Sequence, residues 1–225
     1  MHSQMKSHLK TLPELQKIGD EILDKCNKDN PCYEVDIDNI VEKYYDIRIE
    51  GAPRNWEHGV EGYPCLGGHK IFIDSGLMNN DRQERRYRFT LAEEFAHIIL
   101  HKDIWKNVNT PDEWADAWKN LSDDIHNKLD NNAKELAGVL LLPRYPFINR
   151  AVEIRDGLCA TFGYELSRLS DMQKDVIKDS VIKVLTDNFK VSNQPCEIRM
   201  ERIERYFKQS LFEMSLKPQY LKKIK

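Results

Sequence analysis

The chain has 225 residues, 40% hydrophobic and 32% charged, the balance of a soluble globular protein with one full-sized core and room for a small appended unit. A formal net charge of -3 supplies no global field for nucleic acid, so any DNA binding has to be local. The stretch MHSQMKSHLKTLPEL has no apolar signal region, and no window approaches the roughly 18 uninterrupted apolar residues of a membrane span, which points to a cytoplasmic protein. The cysteines (Cys26, Cys32, Cys65, Cys159, Cys196) are odd in number and form no CxxC pair. They argue against a disulfide framework or a cysteine-ligated zinc site and read as reduced packing thiols.

In chain order, Leu15, Ile18, Ile22 and Leu23 recur at helical spacing and predict a first helix between Pro13 and Cys26. Asp36 or Asp38 caps a second, running through Ile40, Val41 and Tyr44. From Tyr45 to Asp74 the runs Asp46 to Glu50 and His69 to Asp74 alternate or cluster β-branched residues, with Gly62, Gly67 and Gly68 supplying turns, so a small antiparallel sheet is expected. A helix follows from Asp81 through Lys102, then a linker holding Trp105, Trp114 and Trp118. The next helix takes Ser122 as its N-cap and Asp123 and Asp124 in its first turn, and Pro143 stops it. Helices continue beyond Pro143, with breaks near Gly163 and from Ser192 to Pro195. The expected fold is α+β: a mainly helical core with a small antiparallel sheet, followed by a C-terminal helical region.

The helix after Asp81 carries the chemistry. At about 100° per residue, Thr90, Glu93, Glu94, His97 and His101 fall within an arc of about 100°, while Leu91, Ala92, Phe95, Ala96, Ile98, Ile99 and Leu100 make the remainder apolar. Adjacent glutamates on so apolar a helix are costly to desolvate unless a cation or hydrogen-bonding partners compensate. A lone histidine there would read as a satisfied core residue; the whole polar arc reads as a site. Spacing i, i+4 lets Glu93 and His97 reach one metal ion, and Glu94, rotated off that line, stands where a general base belongs.

The run Arg88-Phe89-Thr90-Leu91-Ala92-Glu93-Glu94-Phe95-Ala96-His97-Ile98-Ile99-Leu100-His101 resembles the RFTLAHELGHxLLH signature of the ImmA/IrrE family of metallopeptidases, a gluzincin-like group. The strand Lys70 to Asp74 and the connection Asn79 to Arg86 match that family's order, and the resemblance covers roughly residues 35 to 145. Glu93 stands where the family usually has the first histidine of HExxH, and glutamate is itself a competent oxygen ligand. A second stretch, Asp130-Asn131-Asn132-Ala133-Lys134-Glu135-Leu136-Ala137-Gly138-Val139-Leu140-Leu141-Leu142-Pro143, resembles the family's ExxANxFAxxLLMP signature. That register implies Asp130 as third ligand, Asp replacing the more usual Glu. On the wheel Asp130 lies beside Ala133 and Ala137, small residues that allow close helix packing, whereas Glu135 points away as a solvated surface charge. His126, one turn earlier, is an alternative ligand, and His101 a supporting group behind the ligands.

Together these features divide the chain into an N-terminal helical segment (1–34), an ImmA/IrrE-like metallopeptidase core (35–145) and a C-terminal helical region (146–225). In that last region Val184 to Ser192 followed by Ile198 to Tyr206 resembles a helix-turn-helix. Arg199, Arg202 and Arg205 would face DNA, but Glu197, Glu201 and Glu204 share the helix; the alternative is a bundle that packs or docks a protein. The tail Lys217 to Lys225 is basic and reads as solvated.

The reading that follows is a metal-dependent endopeptidase with Glu94 as general base and Glu93, His97 and Asp130 as ligands. The expected ion is zinc, with manganese or iron suited to so carboxylate-rich a set. The resemblance implies a helix-turn-helix transcriptional repressor as substrate, in mobile elements or stress responses. Two alternatives stand beside it: a catalytically impaired relative that regulates its partner by binding, and a DNA-binding regulator acting through the C-terminal helices.

Overall fold

The computed structural model describes residues 9–26, 33–52 and 60–216, so Cys32 and the basic tail 217–225 lie outside the described residues. The chain forms two compact units, Met1–Asn27 with Asp36–Leu141, and Lys28–Val35 with Leu142–Lys225.

The first unit opens with α1 (Leu12–Cys26), whose Leu15, Ile22 and Leu23 are buried as their spacing requires. Asp36 then caps α2 (Ile37–Asn39), its carboxylate accepting the Asn39 N–H at 3.0 Å, and the chain continues as a π-helical turn, Ile40–Tyr44. Three short strands follow, β1 (Arg48–Gly51), β2 (Gly62–Cys65) and β3 (Lys70–Ile73), in the order β1-β3-β2. β2 and β3 are joined through Leu66–Gly68, where Gly67 and Gly68 take φ of 63° and 88°, values that favour glycine, and they pair antiparallel. β1 takes the other edge of β3 and runs parallel to it, so the sheet is mixed instead of wholly antiparallel. Alternation of β-branched residues identifies strands without giving their direction; only the short turn dictates the β2–β3 pairing. Gly62, expected in a turn, lies within β2.

Asp74 caps the short α3 (Ser75–Met78), and α4 (Glu84–Trp105) follows. On α4, Leu91, Ala92, Phe95 and Ala96 are fully buried. The segment expected to be a linker contains another helix, α5 (Pro111–Lys119), built on a capping box: the Thr110 hydroxyl accepts the Glu113 N–H, and the Glu113 carboxylate accepts the Thr110 N–H. Pro111 takes the first helical position, where its missing N–H costs nothing. Then comes α6 (Asp123–Leu141), which packs against both α4 and α1. A Cβ at Gly19 of α1 would overlap Val139 of α6, so glycine permits that close approach. The sheet lies on α4 through β2 and β3.

The second unit contains α7 (Arg144–Phe162), α8 (Asp171–Phe189) and α9 (Asn193–Phe207), with α8 packed against both of its neighbours. Gly163, at φ 67°, ends α7, and a Ser170–Gln173 capping box starts α8. Phe147, Val181, Leu185, Phe189 and Cys196 are fully buried here. Arg199 is buried as well, its Nε donating to the Leu142 carbonyl at 2.8 Å, so it does not join exposed Arg205 in an outward basic row. Cys26, Cys65, Cys159 and Cys196 are buried free thiols, and among the described residues no helix is long and apolar enough to cross a membrane.

Candidate metal centre

One turn of α4 separates Glu93 from His97, and α6 brings Asp130 to meet them. One donor atom from each of the three lies within 4.8 Å of the others. The Nε2 of His97 is 3.5 Å from Oδ1 of Asp130. The helices can approach this closely because Ala133 and Ala137, on the same side of α6 as Asp130, are fully buried. Two carboxylates and one imidazole are a competent donor set for a divalent ion, and the i, i+4 geometry presents two of them from one rigid helix.

The three residues line a cavity of about 420 Å³. Trp105, Trp114 and Trp118 form one wall, with the Trp118 ring 5.2 Å from Trp105 and 5.7 Å from Trp114, centroid to centroid. His97 meets both Trp105 and Trp118 edge-on. Gly62 of β2 also lines the cavity, and a Cβ there would stand 2.8 Å from Cγ of Glu94 and 3.0 Å from Cγ2 of Thr90. Only a residue without a side chain lets the strand lie this close to Glu94. At the rim, Arg86 pairs with Glu61, which also accepts the Thr90 hydroxyl at 3.2 Å.

Burial shapes the site's electrostatics. Desolvation pushes the Glu93 carboxyl up to about 7, with Asp130 adding to the rise and Lys134 opposing it. Glu94, fully enclosed, is driven well above the usual carboxylate range by desolvation and then by the charges of Glu93 and Asp130. At Asp130 burial works upward too, but the hydrogen bond from His97 and the Lys134 charge outweigh it and hold the group near about 2. Desolvation lowers the His97 value against the pull of Asp130, which keeps the imidazole neutral and able to donate a lone pair. A divalent ion among these groups would favour both glutamates in their charged form, the form in which a carboxylate can ligate a metal or accept a proton.

His101 is wholly buried behind His97, and their Nδ1 atoms are 3.0 Å apart. Such a contact is a hydrogen bond only when one nitrogen carries the proton and the other offers its lone pair. A neutral His97 that donates to Asp130 through Nε2 can only accept at Nδ1; in the other tautomer, with the proton on Nδ1 and donated to His101, the Nε2 lone pair faces Asp130. The backbone of α4 breaks at His101, with φ -123° and ψ 25°.

His126 lines the same cavity, but its ring packs edge-on against Trp118 at 4.3 Å, and it is not among the three residues whose donor atoms converge. Glu135 is partly buried, not the solvated charge expected from the wheel. Sequence reasoning missed Lys134, whose Nζ lies 3.2 Å from Asp130 Oδ2 and 3.6 Å from Glu93 Oε1, and it missed Gly62. The i, i+4 spacing from Asp130 could have flagged the lysine; nothing local could have flagged the glycine.

A histidine and a glutamate one turn apart, a second carboxylate from the facing helix and an enclosed glutamate beside them make a group that could hold a metal ion. Residues 77–163 match the model of the Peptidase M78 family, the IrrE N-terminal-like domain, which supports an ImmA/IrrE-family domain over that stretch. Among solved structures, a Mycobacterium tuberculosis transcriptional regulator is similar, with a TM-score of 0.51 and 14% identity; the match covers 84% of this chain and 46% of the regulator. The likeness is one of fold, and this chain spans less than half of that protein's length. No curated protein matches the chain in sequence.

Proposed function

We propose that this protein is a cytoplasmic metal-dependent endopeptidase that cleaves a protein partner, with a helix-turn-helix repressor as the class of substrate. The observation that carries the reading is the convergence of Glu93, His97 and Asp130 within 4.8 Å in a cavity that also holds Glu94. These three residues would hold the ion, zinc first, with manganese or iron also matched to two carboxylates and one imidazole. Bound there, it would act as a Lewis acid toward a peptide carbonyl. Glu94, as the carboxylate, takes a proton from water as the oxygen adds to the carbonyl carbon, and returns it to the amide nitrogen as the C–N bond breaks. The M78 domain match supports a protein substrate, and the fold shared with a transcriptional regulator fits a role in gene control.

The test is cleavage of a repressor encoded beside this protein, assayed with Glu94→Gln in parallel. Loss of about 10²- to 10⁴-fold in rate with metal content retained is expected. Unchanged cleavage by the variant would remove Glu94 from the mechanism. A second reading, a binding regulator without turnover, is favoured by the ammonium of Lys134 already lying against two of the three ligands. It predicts a stoichiometric complex with an intact repressor.

A further inference from the structure

We propose that Lys134 is an internal latch of the metal centre: its ammonium competes with a divalent ion for Glu93 and Asp130 and swings away when the ion binds. The inference rests on the metal-centre reading above. Lys134 lies one turn after Asp130 on α6, so its stem runs along the face that carries the ligand. Its Nζ bridges the two helices, 3.2 Å from Oδ2 of Asp130 and 3.6 Å from Oε1 of Glu93. These are two of the three groups whose donor atoms converge.

Carboxylates drawn together beside a wall of tryptophans, with Glu94 behind them, repel one another unless a positive charge intervenes. Lys134 supplies that charge, and it supplies it to the ligand set itself. An ordinary surface ion pair contributes little because solvent screens both partners. Here, however, the Glu93 side chain is only 18% exposed and that of Asp130 25%.

An ion bonded to the same two carboxylates at about 2.0 to 2.2 Å would stand close to the ammonium, and the two positive charges would repel. Lys134 has the means to leave: its side chain is 48% exposed, and its flexible four-carbon stem can carry the charge into solvent. Loading is therefore an exchange of one cation for another. The site binds its ion more weakly than the same three ligands would alone, and the metal-free helix pair stays closed.

The experiment measures dissociation constants for Zn²⁺ and Mn²⁺ by competition with a chromophoric chelator. It uses the full chain, Lys134→Gln and Lys134→Arg at neutral pH. Glutamine keeps the helix propensity of lysine on a shorter, uncharged side chain, so the fold should persist, and a cooperative metal-free melt confirms it. The latch predicts that Lys134→Gln binds about tenfold tighter or more, a change equivalent to about 1.4 kcal/mol. It also predicts that Lys134→Arg stays within about threefold of the natural chain, and that metal-free Lys134→Gln melts lower than the metal-free natural chain. Binding by all three proteins with equal constants, or weaker binding by Lys134→Gln, overturns the latch and leaves the metal reading standing. Absence of binding from all three overturns both together.

Discussion

The Nδ1 atoms of His97 and His101 stand 3.0 Å apart, hydrogen-bond distance when one of them carries a proton and the other does not, and this buried contact orients the only imidazole among the three candidate ligands. Replacing His101 with Phe keeps a ring of similar bulk but strips His97 Nδ1 of that partner. The expected cost is about 1 to 3 kcal/mol of stability and about 10- to 100-fold in metal affinity. Denaturant unfolding and a metal titration read the two effects separately. A variant that binds metal as tightly as the natural chain would show that His101 only fills space.

Gly62 of β2 offers a second test. A side chain there has nowhere to go but against Glu94 and Thr90. Gly62→Val should destabilise the first unit by about 1 to 3 kcal/mol through overpacking. It should also lower cleavage with little change in metal binding, because Glu94 is not among the ligands. Equal losses of rate and metal content would mean that the strand supports α4 as a whole.

Stability of the metal-free protein should depend on pH through the raised carboxyls Glu93 and Glu94 in one direction and the lowered Asp130 and His97 in the other. Glu93 has a folded value of about 7 against an ordinary 4.5, so the folded state holds its proton more tightly. Its contribution is complete below about pH 4.5 and disappears as pH rises through about 7. Asp130, near about 2 in place of 3.8, contributes fully above 3.8 and loses that contribution as pH falls toward 2. Between pH 5 and 8, therefore, the melting temperature in the presence of chelator should decline, and Glu93→Gln should flatten the decline. A decline that Glu93→Gln leaves unchanged would contradict the raised value of Glu93.

The Thr110 cap gives a prediction distant from the ligands. Thr110→Ala should cost about 1 kcal/mol, seen as a lower urea midpoint. It should also weaken substrate binding more than metal binding, since α5 carries Trp114 and Trp118 but no ligand.

How far the sequence discloses this arrangement depends on whether a feature is local. Glu93, Glu94 and His97 were legible because one helix generates their geometry by itself, and Asp130 because a second helix carries a recognisable register. The α5 helix was also written locally, in Thr110, Pro111 and Glu113, yet three tryptophans in a polar stretch drew the reading toward a linker. By contrast, the direction of β1, the closeness of Gly62 to Glu94, the burial of Arg199 and the reach of Lys134 to Glu93 arise only from contacts between elements. Periodicity along one element says which face is apolar, not what stands opposite.

The aromatic wall also makes the protein its own optical reporter. Of the four tryptophans in the chain, Trp105, Trp114 and Trp118 all line the cavity, while Trp56 lies outside the described residues. Three of the four indoles therefore sit at the cavity, and the Trp118 ring is in edge-on contact with both His97 and His126. Any occupant of the cavity, whether an ion, a peptide side chain or an inhibitor, alters the quenching of those indoles. The unlabelled chain can thus register occupancy before any substrate is known.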